Sequence, residues 1–308
     1  MFIMAQTAAG QTGGPSSAGH QRRLFMDRVG RYTFIAMASC MTFLIFAVIL
    51  FVGQQGFQMF SDVSPVEFFT GALWDPTTKH FGAVSFIAGS VLTTLLAIGI
   101  GAPLGILGAI FLSKVAPAWM VRIMRPAIDL YVAIPSVVYG YLGLIIFIPF
   151  LRDVFHVKAG FGLLAASLML AIMILPTVIS LSADALNAVP KALEEASLAL
   201  GATWWQSIWH VSLQAARPGI MTSVVLAMAR AIGETMAVQM LIGNTPQVPT
   251  TLFTPTATLT SNIVVEMGNT PFGSAWGDAL FFMAFLLLLI SLGMILLIRK
   301  FNKGGLEA

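Results

Sequence analysis

Six long apolar runs dominate the chain and constrain what it can fold into. A helix needs roughly 20 mostly apolar residues to cross a bilayer core. Candidate runs lie at 32–53, 84–113, 121–150, 161–183, 218–242 and 277–298. Only 9% of the residues are charged and 57% are hydrophobic, whereas a soluble domain carries about 25% charge. Such a chain cannot clothe itself in a water-compatible surface. The fold class is therefore an all-α membrane protein with six transmembrane helices. The third run holds Pro126, Pro135 and Pro149, which predict a bent or broken helix. The second gathers Gly99, Gly101, Pro103, Gly105 and Gly108, a composition that permits close helix packing and a kink.

Residues 1–21 are rich in Gly, Ala, Ser and Gln without periodicity and read as a disordered cytoplasmic tail. They lack the pattern of a signal peptide. A basic flank and the first transmembrane helix occupy 22–53, and a periplasmic loop occupies 54–83. The remaining spans and their connections fill 84–299, followed by a short cytoplasmic tail at 300–308. With the N-terminus inside, twelve of the sixteen Lys and Arg fall on the cytoplasmic side and only Lys79, Arg152 and Lys158 opposite, with Arg230 inside a span. That asymmetry predicts an inner-membrane protein with both termini cytoplasmic. The outer loop at 243–276 is rich in Thr, Pro, Asn and Gly. It reads as a plain connector in preference to a lid or re-entrant piece. Cys40 is the single cysteine, so no internal disulfide forms, and no zinc-type spacing or other metal site is expected.

The inner connection at 184–217 is less apolar and has helical spacing. Pro190 suits a helix start, Glu194 and Glu195 favour its first turn, and Gly201 suits its end. Trp204, Trp205 and Trp209 belong at a membrane interface. These features describe a short helix under the membrane, either docked on a soluble partner or lying as a surface connector. The string Glu195-Ala196-Ser197, three residues, Gly201, nine residues, then Val211-Ser212-Leu213 resembles the EAA loop of ABC-importer permeases. Ser197 stands where the family has a second Ala, Val211 where it has Ile, and Gln214 where it has Pro. The resemblance implies that Glu194, Glu195, Ala196, Ser197 and Gly201 couple the membrane helices to a separate ATP-hydrolysing subunit. The chain has no G-x-x-x-x-G-K-[ST] phosphate loop of its own. It is expected to be no enzyme and to bind no cofactor, ATP and Mg belonging to the partner.

The fifth run places two ionisable residues, Arg230 and Glu234, deep in the bilayer. Spaced four apart, they are predicted to share one helix face, and Arg230 falls near mid-membrane, where a charge costs about 2.5–3.5 kcal/mol. One reading has them neutralise each other, or pair with Asp129, to pin helices together. The other has them line the transport route, with Thr235 beside them and with Asp129 and Ser136 contributed by the broken third run. Arg presents a planar donor fork suited to oxyanions. Glu234, when ionised, can accept but not donate and so favours an anion that still carries a proton, as phosphate does near neutral pH and sulfate does not. Asp129 serves equally well as a partner for Arg122 or Arg125 near the inner surface.

The strings AIPSVVYGYLGL and RAIGETMAVQMLIGN together resemble the PstC-type permease subunits of phosphate-specific ABC importers, over residues 24–303. That family has a five-helix type I core, so the first span would be an accessory anchor. The resemblance also implies a heterodimer with a PstA-like second permease, a PstB-like ATPase homodimer and a periplasmic phosphate-binding protein delivering phosphate. The open alternatives are a permease for sulfate or molybdate, the PstA-like paralogue, an ATP-independent secondary transporter or channel, and a structural or sensory membrane subunit. No role is expected for nucleic acid.

Overall fold

The computed structural model describes residues 17–271 and 273–303. Of the tails expected at 1–21 and 300–308, residues 1–16 and 304–308 lie outside the described residues, while 17–21 already belong to helix α1 and 300–303 continue helix α13, because each apolar span extends its helix past the apolar run. The chain divides into two compact units after Phe51. The first is the greater part of α1 (Ser17–Phe57), whose large side chains such as Phe34, Phe43 and Phe46 are exposed, as a lipid-facing helix requires.

The second unit opens with the end of α1, a 3₁₀ turn at Gln58–Ser61, α2 (Pro65–Thr70) and a hairpin of β1 (Trp74–Asp75) with β2 (His80–Phe81). The strands pair Trp74 with Phe81 and Asp75 with His80. Long helix α3 (Val84–Ile110) follows and ends in a π turn at Phe111–Val115. Next come α4 (Ala118–Ala133), α5 (Ser136–Leu142), a π turn at Gly143–Phe147 and α6 (Ile148–Phe155). Helix α7 (Leu163–Asn187) leads to the short helices α8 (Lys191–Ala199) and α9 (Trp204–Ser207). A π turn at Ile208–Ser212 runs into α10 (Leu213–Gly233), then α11 (Met236–Ile242), α12 (Leu259–Met267) and α13 (Ala275–Lys303). Six helical stretches are long and apolar enough to span a membrane: Arg28–Ser61, Val84–Val115, Ser136–Phe155, Leu163–Asn187, Trp204–Gly233 and Ala275–Lys300. The chain is a multi-pass membrane protein.

Three of the sequence boundaries move. The run expected at 121–150 is two helices, because Pro135 stops α4 and opens α5. Pro126 is accommodated within α4, which none of its neighbours buries. The corner is fastened by Tyr139, whose hydroxyl donates to the Tyr131 carbonyl at 2.8 Å. The fifth span starts at Trp204 rather than 218, since the π turn continues the helix into what reads as loop. It stops at Gly233, and 236–242 is a separate helix. The loop at 243–276 is no plain connector either. It folds α12 into the protein, where Leu259 N–H donates to Ser90 Oγ at 2.9 Å and Thr260 Oγ1 to the Glu234 carbonyl at 3.2 Å.

The glycines of α3 explain the packing that holds this unit together. A Cβ on Gly101 would lie 2.8 Å from Ile174 of α7, and one on Gly105 2.7 Å from Val178. With no side chain at these positions, the two backbones approach closely, the contact on which helix association in lipid depends. Gly99 faces open space. Opposite outcomes follow for two substitutions. Gly105→Leu should abolish the α3–α7 seam and collapse the yield of folded protein in size-exclusion chromatography. Gly99→Ala should be neutral or raise thermal stability, since Ala favours a helix interior by about 0.8–1 kcal/mol over Gly.

Candidate functional site

The connection after α7 is a short helix held between two sharp turns. Pro190 is extended, as its ring allows, and starts α8. Gly201 ends that helix at φ +88, with its N–H on the Leu198 carbonyl at 3.0 Å and the Ala202 N–H on the Ser197 carbonyl at 3.2 Å. A side chain at Gly201 would meet no atom within 4 Å, so the backbone angle alone calls for glycine. Leu200, beside it, is 90% exposed, and Glu195 and Ala196 are exposed too.

Glu194 points inward. Its carboxylate pairs with Lys114, in the π turn ending α3, and accepts from Ser212 Oγ at 2.9 Å, in the turn preceding α10. Ser197 Oγ donates to Ser207 Oγ at 2.6 Å. The serine standing in place of the family's alanine therefore has a partner, and α8 is fastened to two spanning helices at once. Burial raises the Glu194 carboxyl, but the Lys114 and Ser212 hydrogen bonds, with the charges of Lys114 and Lys191, outweigh it and hold the group below its ordinary value.

Within the membrane the sequence expectation needs correction. Arg230 and Glu234 do not share a helix face. Helix α10 ends at Gly233, and Glu234 is extended at φ −71, ψ 127. Glu234 Oε1 instead accepts the backbone N–H of Thr235 at 3.2 Å and of Ala237 at 3.5 Å. Its charge meets the unsatisfied N–H groups where α11 begins, a favourable placement for an acid. Among the described residues neither Glu234 nor Asp129 forms an ion pair with Arg230. The half-buried guanidinium donates to Thr177 Oγ1 of α7 at 3.3 Å. Thr235 donates to the Gly233 carbonyl at 3.3 Å, within the break.

Ser136 begins α5, which packs along α11. A Cβ on Gly140 would lie 3.1 Å from Ala237 Cα, and one on Gly143 2.8 Å from Leu241. That register runs α5 and α11 in the same direction, so Ser136 and the Glu234–Thr235 break lie at one level. Asp129 is exposed on α4, in a cleft of about 190 Å³ shared with Arg125, Ser180 and Asp184. There Arg125 pairs with Asp184 at 3.3 Å. Sequence reasoning passed over Thr177, Ser180 and Asp184, whose spacing of three and four residues along one apolar run was the available signal.

Residues 101–304 match the family described as the binding-protein-dependent transport system inner membrane component. Among curated relatives, the probable ABC transporter permease protein YqgH of Bacillus subtilis is 45% identical over 290 residues, 93% of this chain and 94% of that protein. The phosphate transport system permease protein PstC of Mesorhizobium japonicum is 37% identical, covering 83% of this chain and 80% of its own length. PstC of Haemophilus influenzae is 35% identical, covering 73% and 77%. Among solved structures, a chain of a bacterial ABC transporter involved in import of the acidic polysaccharide alginate superposes with a TM-score of 0.63 at 17% identity. It covers 91% of this chain and 98% of that one, and the likeness concerns fold alone.

The Glu194 fastening predicts a pH dependence of defined sign. A carboxyl depressed in the folded protein stabilises it above the ordinary carboxylate range and loses that contribution as pH falls through the depressed value. Hydrogen-exchange protection of 191–212 should therefore hold from pH 7 to about 5 and weaken below about 4, the ordinary carboxylate value. Glu194→Gln should be less protected at pH 7 and show no further loss on acidification.

Proposed function

Since the chain belongs to the family of binding-protein-dependent transport system inner membrane components, we propose that it is the permease subunit through which an ABC importer admits inorganic phosphate. The observation that carries the anion reading is Arg230, a permanent cation in a spanning helix with no carboxylate partner among the described residues. The insertion cost of such a charge is about 2.5–3.5 kcal/mol, and an oxyanion docking on the guanidinium fork offsets it. The choice of phosphate draws on the PstC relatives, 31–37% identical over much of the chain. Glu234, at the level of Ser136, supplies the acceptor that favours an anion still carrying a proton. Thr235 lies beside it.

ATP is hydrolysed by a partner homodimer of PstB type, with its own ATP and Mg. That dimer receives the exposed tip of α8 around Leu200, Glu195 and Ala196. Closure of the ATPase moves α8, and the Glu194 contacts to Lys114 and Ser212 pass the motion to α3 and α10. A PstA-like permease completes the membrane heterodimer, and a periplasmic binding protein delivers phosphate. Both termini and the α8 tip face the cytoplasm, where most of the Lys and Arg gather.

Three experiments on the reconstituted complex test this reading. Arg230→Ala should reduce ATP-driven phosphate uptake at least tenfold while subunit assembly is retained; undiminished uptake would remove Arg230 from the route. Glu234→Gln keeps the acceptor for α11 but removes the charge, and should erode the preference for phosphate over sulfate. At the other end, Glu195→Lys or Leu200→Asp should leave membrane insertion intact while lowering the uptake obtained per ATP hydrolysed. Normal coupling in both variants would sink the docking assignment.

A further inference from the structure

Helix α7 carries Thr177, Ser180 and Asp184 at steps of three and four residues, which places them on one helical face over about 10 Å of rise. Each stands beside a charged residue of another element. Thr177 meets Arg230 of α10 at 3.3 Å, Ser180 shares a cleft with Asp129 of α4, and Asp184 pairs with Arg125 of α4 at 3.3 Å. The opposite side of α7 is committed to packing: Ile174 and Val178 meet Gly101 and Gly105 of α3, and Ser182 shares a hydrogen bond with Ser223 of α10 at 2.7 Å. A spanning helix with one side sealed into protein and the other lined by hydroxyls and charges borders a wet path.

We propose that the inner leg of the anion's route runs from Arg230 past Thr177 into this α4–α7 cleft, beside Asp129, Ser180 and Asp184, and on to the end of α7 that leads into α8. The proposal rests on the phosphate-import reading above and adds the exit to it. The charges along the leg are graded. Among the described residues Arg230 pairs with a hydroxyl and no carboxylate, whereas further along Asp129 faces the cleft and Asp184 neutralises Arg125. A tetrahedral oxyanion is therefore held most firmly at Arg230 and weakly beyond it. That gradient suits import, since conduction requires binding weak enough to let the ion leave. The Asp129 carboxylate also disfavours re-entry of anion from the inner side. Asp129 and Asp184 thus act as release residues, and Ser180 lies between Thr177 and Asp184 along the path.

Cysteine labelling tests the route. Ser180→Cys is placed in a complex whose other cysteines, including Cys40, are replaced, and inside-out vesicles are treated with a charged, membrane-impermeant methanethiosulfonate. The control is Leu107→Cys, on the exposed apolar face of α3 between the glycines that pack on Val178 and Ile179, and so at the depth of Ser180. We expect Ser180→Cys to be labelled at least tenfold faster than Leu107→Cys, and labelling to cut ATP-driven movement of phosphate out of the vesicle lumen at least tenfold. An unlabelled Ser180→Cys, or a labelled one that still transports, would overturn the route.

A second measurement needs no cysteine. In vesicles preloaded with inorganic phosphate, replacing Asp129 and Asp184 together by Asn should lower the internal concentration that halves uptake at least threefold. An unchanged value would overturn the release role. If the parent complex shows no ATP-dependent uptake of phosphate, the substrate assignment fails instead, a result read before either variant is made.

Discussion

The close approach of α3 to α7 is the contact on which the rest of the protein depends. Gly101 and Gly105 leave room for Ile174 and Val178, and in lipid such packing takes the place of the hydrophobic effect between helices. Once that side of α7 is sealed, its Thr177–Ser180–Asp184 side is left for polar company. The same contact sets the ends. It brings Lys114, just past α3, within reach of Glu194 on α8, which follows α7. One seam therefore positions both the helix proposed to line the cargo's route and the segment proposed to drive it.

That segment and the proposed route meet on the same elements. Glu194 ties α8 to α3 and, through Ser212, to the start of α10, and α10 carries Arg230 near its far end. In the proposed mechanism, movement of α8 passes along α10 toward the cation. The helix stops three residues beyond Arg230, where Glu234 turns back onto the first N–H groups of α11 and α12 touches the break through Thr260.

Much of this was legible in the residues. Apolar run length located all six spans, and Gly201 and Pro190 marked the ends of α8 because their backbone requirements are local. The glycines of α3 announced a close interface for the same reason. What failed to show depended on long-range context. The i,i+4 spacing of Arg230 and Glu234 presupposes an unbroken helix, and a Gly-Glu-Thr string does not by itself reveal that tertiary contacts end it. Ser197 read as a mild departure from the family pattern, because its partner Ser207 lies across a turn. The polar face of α7 was hidden by the apolarity of its surroundings. Three polar residues among so many Leu, Ile and Ala stand out only when Arg230, Asp129 and Arg125 are seen opposite them.

The central claim is that the Arg230 guanidinium holds the phosphate in transit. Dipolar coupling between ¹⁵N-labelled arginine and ³¹P-phosphate, measured by solid-state magnetic resonance on the assembled transporter, reads that contact directly. A nitrogen–phosphorus coupling at hydrogen-bonding range that disappears in Arg230→Gln is the predicted result. A coupling that persists unchanged in that variant, or its absence from the native complex under turnover, would contradict the account.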